Sequence, residues 1–265
     1  MRRSGRTPGP LRDGSGRPAP LRYTPAVTPN DARQRGWFVT LEGPDGAGKT
    51  TQAERLRDRA VAAGFEVVLT REPGGTPVGE RIRELLLDSD RHRGITRLDA
   101  RTDALLFNAA RRQLVAEVIR PAIDRATLVI STRFADSTLA YQGYGGRLPL
   151  DELRAMERFA TDGLKPDLTV LLDVPVEVGL ARKTGVDVNR FESDYDLEFH
   201  RRVRDGFLAL AAEEPDRFMV VDATMPPDEV TAAVLAAATR IPGLAPPPGF
   251  RRGDEPGEPA ERTDR

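Results

Sequence analysis

The chain has no cysteine and only two histidines, His92 and His200, in 265 residues. The first absence excludes disulfides and thiolate metal sites and fits a reducing interior. The second leaves a histidine-based hydrolase or a histidine-rich zinc site poorly supplied. No apolar run approaches the roughly 18 residues that span a bilayer, so the sequence reads as a soluble, cytoplasmic protein with no membrane partner. Net charge is −1, so no global field recruits nucleic acid, and no specific nucleic-acid partner is expected. Lysine is scarce too: Lys49, Lys165 and Lys183 stand among 40 basic residues.

What is present suits one α/β domain with additions, since 39% of the residues are hydrophobic, enough for an ordinary core. Residues 1–35 are dominated by Arg, Pro and Gly and read as a disordered tail. That tail reads as a dispensable extension or an overextended start site, with a basic tether to nucleic acid as the alternative. Residues 241–265, with Pro246-Pro247-Pro248 and a mixed-charge finish, read as a second tail. Between them, five short apolar runs alternate with helical patterns: Trp37–Leu41, Glu66–Thr70, Leu128–Ser131, Leu168–Leu172 and Phe218–Val221. The alternation predicts an α/β fold in which a five-stranded parallel sheet is flanked by helices. A long helical stretch, roughly Asp99 to Asp124, is interrupted by Pro121. Ligands in such sheets bind beyond the carboxyl ends of the strands, which directs attention to the loops there.

The loop after the first run is Gly43-Pro44-Asp45-Gly46-Ala47-Gly48-Lys49-Thr50, which satisfies the phosphate-loop pattern G-x-x-x-x-G-K-[ST] at every constrained position. Small residues let successive N–H groups turn toward an anion, and the helix read over Thr51–Val61 adds its positive end. Lys49 supplies a charge for the β- and γ-phosphates, and Thr50 a hydroxyl for Mg²⁺. ATP is the expected occupant. A run entering the loop as a strand and leaving it as a helix makes a chance glycine-rich turn a poor alternative.

The other loops carry a second set of groups. Arg71 and Glu72 sit at the end of the second run before Pro73-Gly74-Gly75. An arginine there holds a phosphate in a fork, or forms an ordinary surface ion pair. Phe107 and Arg111 lie four apart on one helix face, a workable nucleobase clamp, although a lone helical aromatic is more often plain core. After the third run, Arg133 falls beside the expected phosphates, and Thr138 and Gln142 are able to read a base edge. The stretch Gly143-Tyr144-Gly145-Gly146-Arg147 reads as a glycine-rich flap presenting one guanidinium, with a flexible surface loop as the bland alternative.

Taken together, these motifs resemble the bacterial thymidylate kinases. The resemblance runs from about Gly36 to Ile241. It includes Leu41-Glu42-Gly43, Thr70 to Thr76, Gly79 to Arg83, Phe107 to Arg111, Asp136-Ser137-Thr138 with Ala140 to Gly143, Lys165 to Thr169, and Arg190-Phe191-Glu192. It implies a nucleotide-kinase domain over residues 36–240 with a lid near 143–150, and transfer of the ATP γ-phosphoryl to dTMP, giving dTDP. By the same resemblance, Asp45 faces the acceptor sugar, and Arg71 and Arg133 hold the dTMP phosphate with Arg83 near it. Phe107 stacks on thymine, Arg111, Thr138 and Gln142 read its edge, and Glu72 and Tyr141 join the substrate site. Arg147 is the lid arginine and acts in catalysis with Lys49, Asp45 and Arg133. A homodimer is implied as well.

One position departs from the pattern. The family carries Asp-Arg after the third strand, whereas this chain has Thr132-Arg133. Thr132 brings a hydroxyl but no charge toward Mg²⁺ and its waters, so metal binding is left to Thr50 and, through water, Thr132. The competing functions are a phosphate-loop kinase for another nucleotide or nucleoside, and a nucleotide-binding protein with impaired catalysis.

Overall fold

The computed structural model describes residues 35–87, 98–183 and 196–244. Five strands, β1 (Phe38–Glu42), β2 (Val67–Arg71), β3 (Leu128–Thr132), β4 (Leu168–Asp173) and β5 (Phe218–Asp222), form one sheet in the order β2-β3-β1-β4-β5. All neighbouring pairs are parallel. β3, β4 and β5 begin where their apolar runs begin, and β1 and β2 begin one residue later. The runs are short and apolar because the inner strands are covered on both faces. Val39 and Leu41 of β1, with Leu168, Val170 and Leu172 of β4, point into one core cluster, whereas Phe38 and Leu171 serve clusters on the opposite face.

The first cluster is closed by α1 (Lys49–Ala62) and by a helix near the C-terminal end of the described chain, Pro227–Ala238. The opposite face carries α2 (Pro77–Leu87), α3 (Ala100–Leu114), α4 (Arg120–Asp124), α5 (Ala135–Thr138), α6 (Leu150–Thr161) and α8 (Leu197–Glu213). A short helix, α7 (Val176–Arg182), follows β4, and Pro227–Ala238 is α9. Asp99 opens α3 by accepting from the Arg101 N–H at 2.9 Å, and Asp196 opens α8 by accepting from the Phe199 N–H at 2.8 Å. Both are ordinary N-caps.

Three differences from the sequence reading have physical causes. The stretch from Asp99 to Asp124 is not one helix type: a π-helical turn, Val115–Ile119, precedes α4, where Pro121 sits in the first turn and so gives up no needed N–H. The expected glycine-rich flap is helical up to Gly145. A second π-helical segment, Leu139–Gly145, continues α5, and its glycines admit close packing, Gly145 against Val203 and Phe199 and Gly143 against Leu150. At the other end the packed chain runs past residue 240, because Ile241 and Leu244 are buried in the first core cluster. The tail assignments otherwise fall outside the described residues, as does Arg190-Phe191-Glu192.

Candidate active site

The carboxyl ends of β1, β2 and β3 open onto a cavity of about 320 Å³. Its donor end is the loop after β1. Gly46 and Gly48 adopt φ of +75° and +86°, a region glycine enters without cost. A Cβ at Gly46 would stand 1.9 Å from the Gly179 carbonyl oxygen, so the loop and α7 touch backbone to backbone. Gly48 caps α1 with no side-chain hydrogen bond, which leaves the first-turn N–H groups for an anion. Lys49 donates to the Gly43 and Pro44 carbonyls at 2.9 and 2.6 Å. Burial, seconded by Arg133, pushes its ammonium down to about 7. Asp45, Gly46, Gly48, Lys49, Thr50 and Thr51 line the cavity, while Gly43, Pro44 and Ala47 support the turn behind it.

The next part is a compact ionic knot. Arg133 has φ of +70°, a conformation that costs a non-glycine residue about 1–3 kcal/mol and persists only where its surroundings hold it. Its N–H donates to the Leu41 carbonyl at 3.0 Å. Its guanidinium donates to Asp45 Oδ1 at 2.6 Å, the Tyr141 hydroxyl at 3.0 Å, Ser137 Oγ at 3.1 Å and the Gly43 carbonyl at 3.3 Å. Tyr141 in turn donates to Asp45 Oδ2 at 2.6 Å. Burial pushes the Asp45 carboxyl up, but Arg133, Lys49 and Lys183 outweigh it and hold the group well below the usual carboxylate range. Burial keeps the Tyr141 phenol protonated well above its ordinary value, against the pull of Arg133. Behind the knot, Glu42 is fully buried, and burial together with Asp136 raises its carboxyl to about 7.

The acceptor end gathers from separate elements. Arg71 lines the cavity and also pairs with Glu80 at 3.1 Å. Arg83 donates to the Pro73 carbonyl at 2.9 Å and reaches the same wall. Phe107 is half-buried on the cavity side of α3, and Thr138, Tyr141 and Gln142 face it from the helical run after β3. Glu72 also lines it.

Two expected residues are elsewhere. Arg111, only 1% exposed, is absent from the cavity wall. Its Nε donates to Glu72 at 2.9 Å, and its other nitrogens to Asn108 and the Phe134 carbonyl at 3.2 and 3.0 Å. The guanidinium neutralises a buried carboxylate, which burial otherwise drives toward protonation. Arg147 is exposed at φ of +60° and also lies off the wall. Conversely, Lys183 lines the cavity with its Nζ 4.0 Å from Asp45 Oδ1, and Ser137 joins it. The rarity of lysine was the available signal for Lys183, whereas nothing in the sequence marks Ser137.

The two hydroxyls expected near Mg²⁺, Thr50 and Thr132, both line the wall, as do those of Thr51, Ser137 and Thr138. The wall's carboxylates, Asp45 and Glu72, are paired with Arg133 and Arg111, and Glu42 accepts with both oxygens. Among the described residues no cluster of three metal-ligating side chains occurs. This set fits a cation held chiefly by a nucleotide's phosphates with one hydroxyl from the loop. No helix among the described residues is long and apolar enough to cross a membrane.

Comparison with known proteins agrees with this arrangement. The family model for thymidylate kinase matches residues 41–234. A thymidylate kinase of Thermomicrobium roseum is 51% identical over 207 residues, covering 77% of this chain and 95% of that protein. One from Deinococcus radiodurans is 50% identical over 205 residues, covering 77% and 97%. The crystal structure of thymidylate kinase from Ehrlichia chaffeensis superposes with a TM-score of 0.62 at 35% identity, covering 77% of this chain and 99% of that one. The chain belongs to the thymidylate kinase family.

Proposed function

We infer that the protein is an ATP:dTMP phosphotransferase, moving the γ-phosphoryl of ATP onto the phosphate of dTMP to give ADP and dTDP, a step toward dTTP. The observation that carries this reading is one cavity joining a phosphate loop to three arginines, Arg71, Arg83 and Arg133, and an aromatic wall. A dTMP phosphate oxygen attacks the γ-phosphorus as the bond to the ADP β-phosphate oxygen breaks, without a covalent enzyme intermediate. Catalysis is then a matter of alignment and charge neutralisation. The N–H groups of Gly46 to Thr51 and the Lys49 ammonium take the donor phosphates. Thr50, and Thr132 through water, would hold Mg²⁺, which neutralises phosphate charge when bound. Arg133 and Arg71, with Arg83 beside them, take the acceptor phosphate. Asp45 and Tyr141 orient Arg133 and face the sugar, Phe107 stacks on the base, and Thr138 and Gln142 read its edge.

Arg147 serves as a lid cation only if the chain after Gly145 folds inward, since it is now exposed. The kinase body is assigned to residues 36–240, completed by Ile241 and Leu244. Two copies are proposed to pair through adjacent helices α3 and α6, where Leu105 and Phe159 are 57% and 85% exposed. The reading also puts the enzyme in the cytoplasm with its substrates.

ADP release from ATP and Mg²⁺ tests the assignment across a panel of nucleoside monophosphates and nucleosides. Turnover confined to dTMP supports it. Preference for another acceptor replaces the substrate, and ATP binding without acceptor-dependent ADP favours a nucleotide-binding role, the outcome in which Thr132 in place of an acid limits catalysis.

A further inference from the structure

Glu42 ends β1 one residue before the phosphate loop, yet its side chain faces the acceptor half. It is 0% exposed. Its Oε1 accepts from the Phe134 N–H and its Oε2 from the Ser137 hydroxyl, both at 2.6 Å. These are short, charge-assisted bonds to the first turn of the helical run that continues through Gly145. The same Ser137 oxygen accepts from Arg133 at 3.1 Å. Arg133 lies between the two anchor points, at φ of +70°, a conformation that needs support from both sides. A relay therefore runs from the Glu42 carboxylate through the Ser137 hydroxyl to the Arg133 guanidinium.

Burial and charge pull on this relay in opposite directions: burial and Asp136 raise the Glu42 carboxyl, while the bonds from Ser137 and Phe134 and the Arg133 charge favour its ionised form. Arg133, Lys49 and Arg111 attract the carboxylate, and Asp136 opposes it from the start of α5. Glu42 is not among the residues that line the cavity.

We propose that Glu42 is a positioning residue for the acceptor, fixing Arg133 through Ser137 and thereby coupling the root of the phosphate loop to capture of the acceptor phosphate. The proposal rests on the assignment of Arg133 to that phosphate. A Gln at position 42 keeps the volume and still accepts from Phe134, but it turns an N–H group toward Ser137, whose oxygen then has two donors facing it and no acceptor for its own proton. The hydroxyl loses the carboxylate that fixes its rotamer, so its hold on the guanidinium weakens. Ser137→Ala removes the link from the other side and leaves Glu42 bonded to Phe134.

The test is steady-state kinetics on the full chain with ATP, Mg²⁺ and dTMP. Turnover of the wild type on dTMP checks the functional assignment by itself, before any variant is compared. Glu42→Gln and Ser137→Ala are each expected to raise KM for dTMP about tenfold while moving KM for ATP by less than about twofold. The double variant is expected to lose no more than either single one, and neither change should add loss in an Arg133→Ala background. Should Glu42→Gln fail to fold, Ser137→Ala carries the same expectations. Equal losses for both substrates, no change in KM for dTMP, or full additivity with Arg133→Ala would overturn the relay.

Discussion

The two ends of the cavity are built in opposite ways. The donor end comes from one uninterrupted run, Gly43 to Thr51, and most of what it offers a phosphate is backbone N–H plus one lysine. The acceptor end is collected from the end of β2, from α2 and α3, and from the helical run after β3, and what it offers is side chains held by other side chains. Arg133 alone has four partners. A contiguous site stands or falls on local geometry. An assembled one depends on distant contacts, and damage there should be graded and substrate-selective.

Perturbations ranked by size sharpen that contrast. Lys49→Ala removes the donor end's single cation, and kcat is expected to fall about 1000-fold, measured as ADP release at saturating substrates. A fall below about tenfold would mean that Lys183 or Arg133 replaces it. Arg111→Ala leaves Glu72 buried and unpaired, a loss of about 3–5 kcal/mol of stability, visible as a drop of roughly 10 °C or more in melting temperature. Normal stability with weakened dTMP binding would return Arg111 to the acceptor end. Arg133→Ala should raise KM for dTMP about 30-fold with KM for ATP nearly unchanged; an equal rise in both would dissolve the distinction between the ends. The smallest effect is expected from Thr132→Asp, which adds a carboxylate beside the metal's hydroxyl ligands and should lower the Mg²⁺ concentration giving half-maximal rate about threefold. An unchanged Mg²⁺ dependence and rate would mean that the nucleotide's own phosphates suffice.

The same contrast decides what was legible in the sequence. The strands and the phosphate loop follow from local pattern, so β1, the loop and α1 appear within one or two residues of their expected places. That Arg133, Phe107, Thr138 and Gln142 line one cavity was legible because strand-end loops converge in a parallel sheet. The Arg111–Glu72 pair was not legible, because helical spacing shows which residues share a face, not that Glu72 reaches across to one of them. The Gly143–Gly145 stretch was read as a flap because glycine permits loops, whereas here it permits close packing against Phe199, Val203 and Leu150. The Glu42–Ser137 relay joins residues 95 positions apart, and no local signal announces it.

The most direct test of the account is a crystal structure of the protein with ADP, Mg²⁺ and dTMP bound together. The account predicts the ADP β-phosphate within hydrogen-bond distance of the Gly48 to Thr50 amides and Lys49, the dTMP phosphate on Arg133, and the base against Phe107, with Arg111 still bonded to Glu72. A dTMP phosphate seated away from Arg133, or a base bonded directly to Arg111, would contradict it.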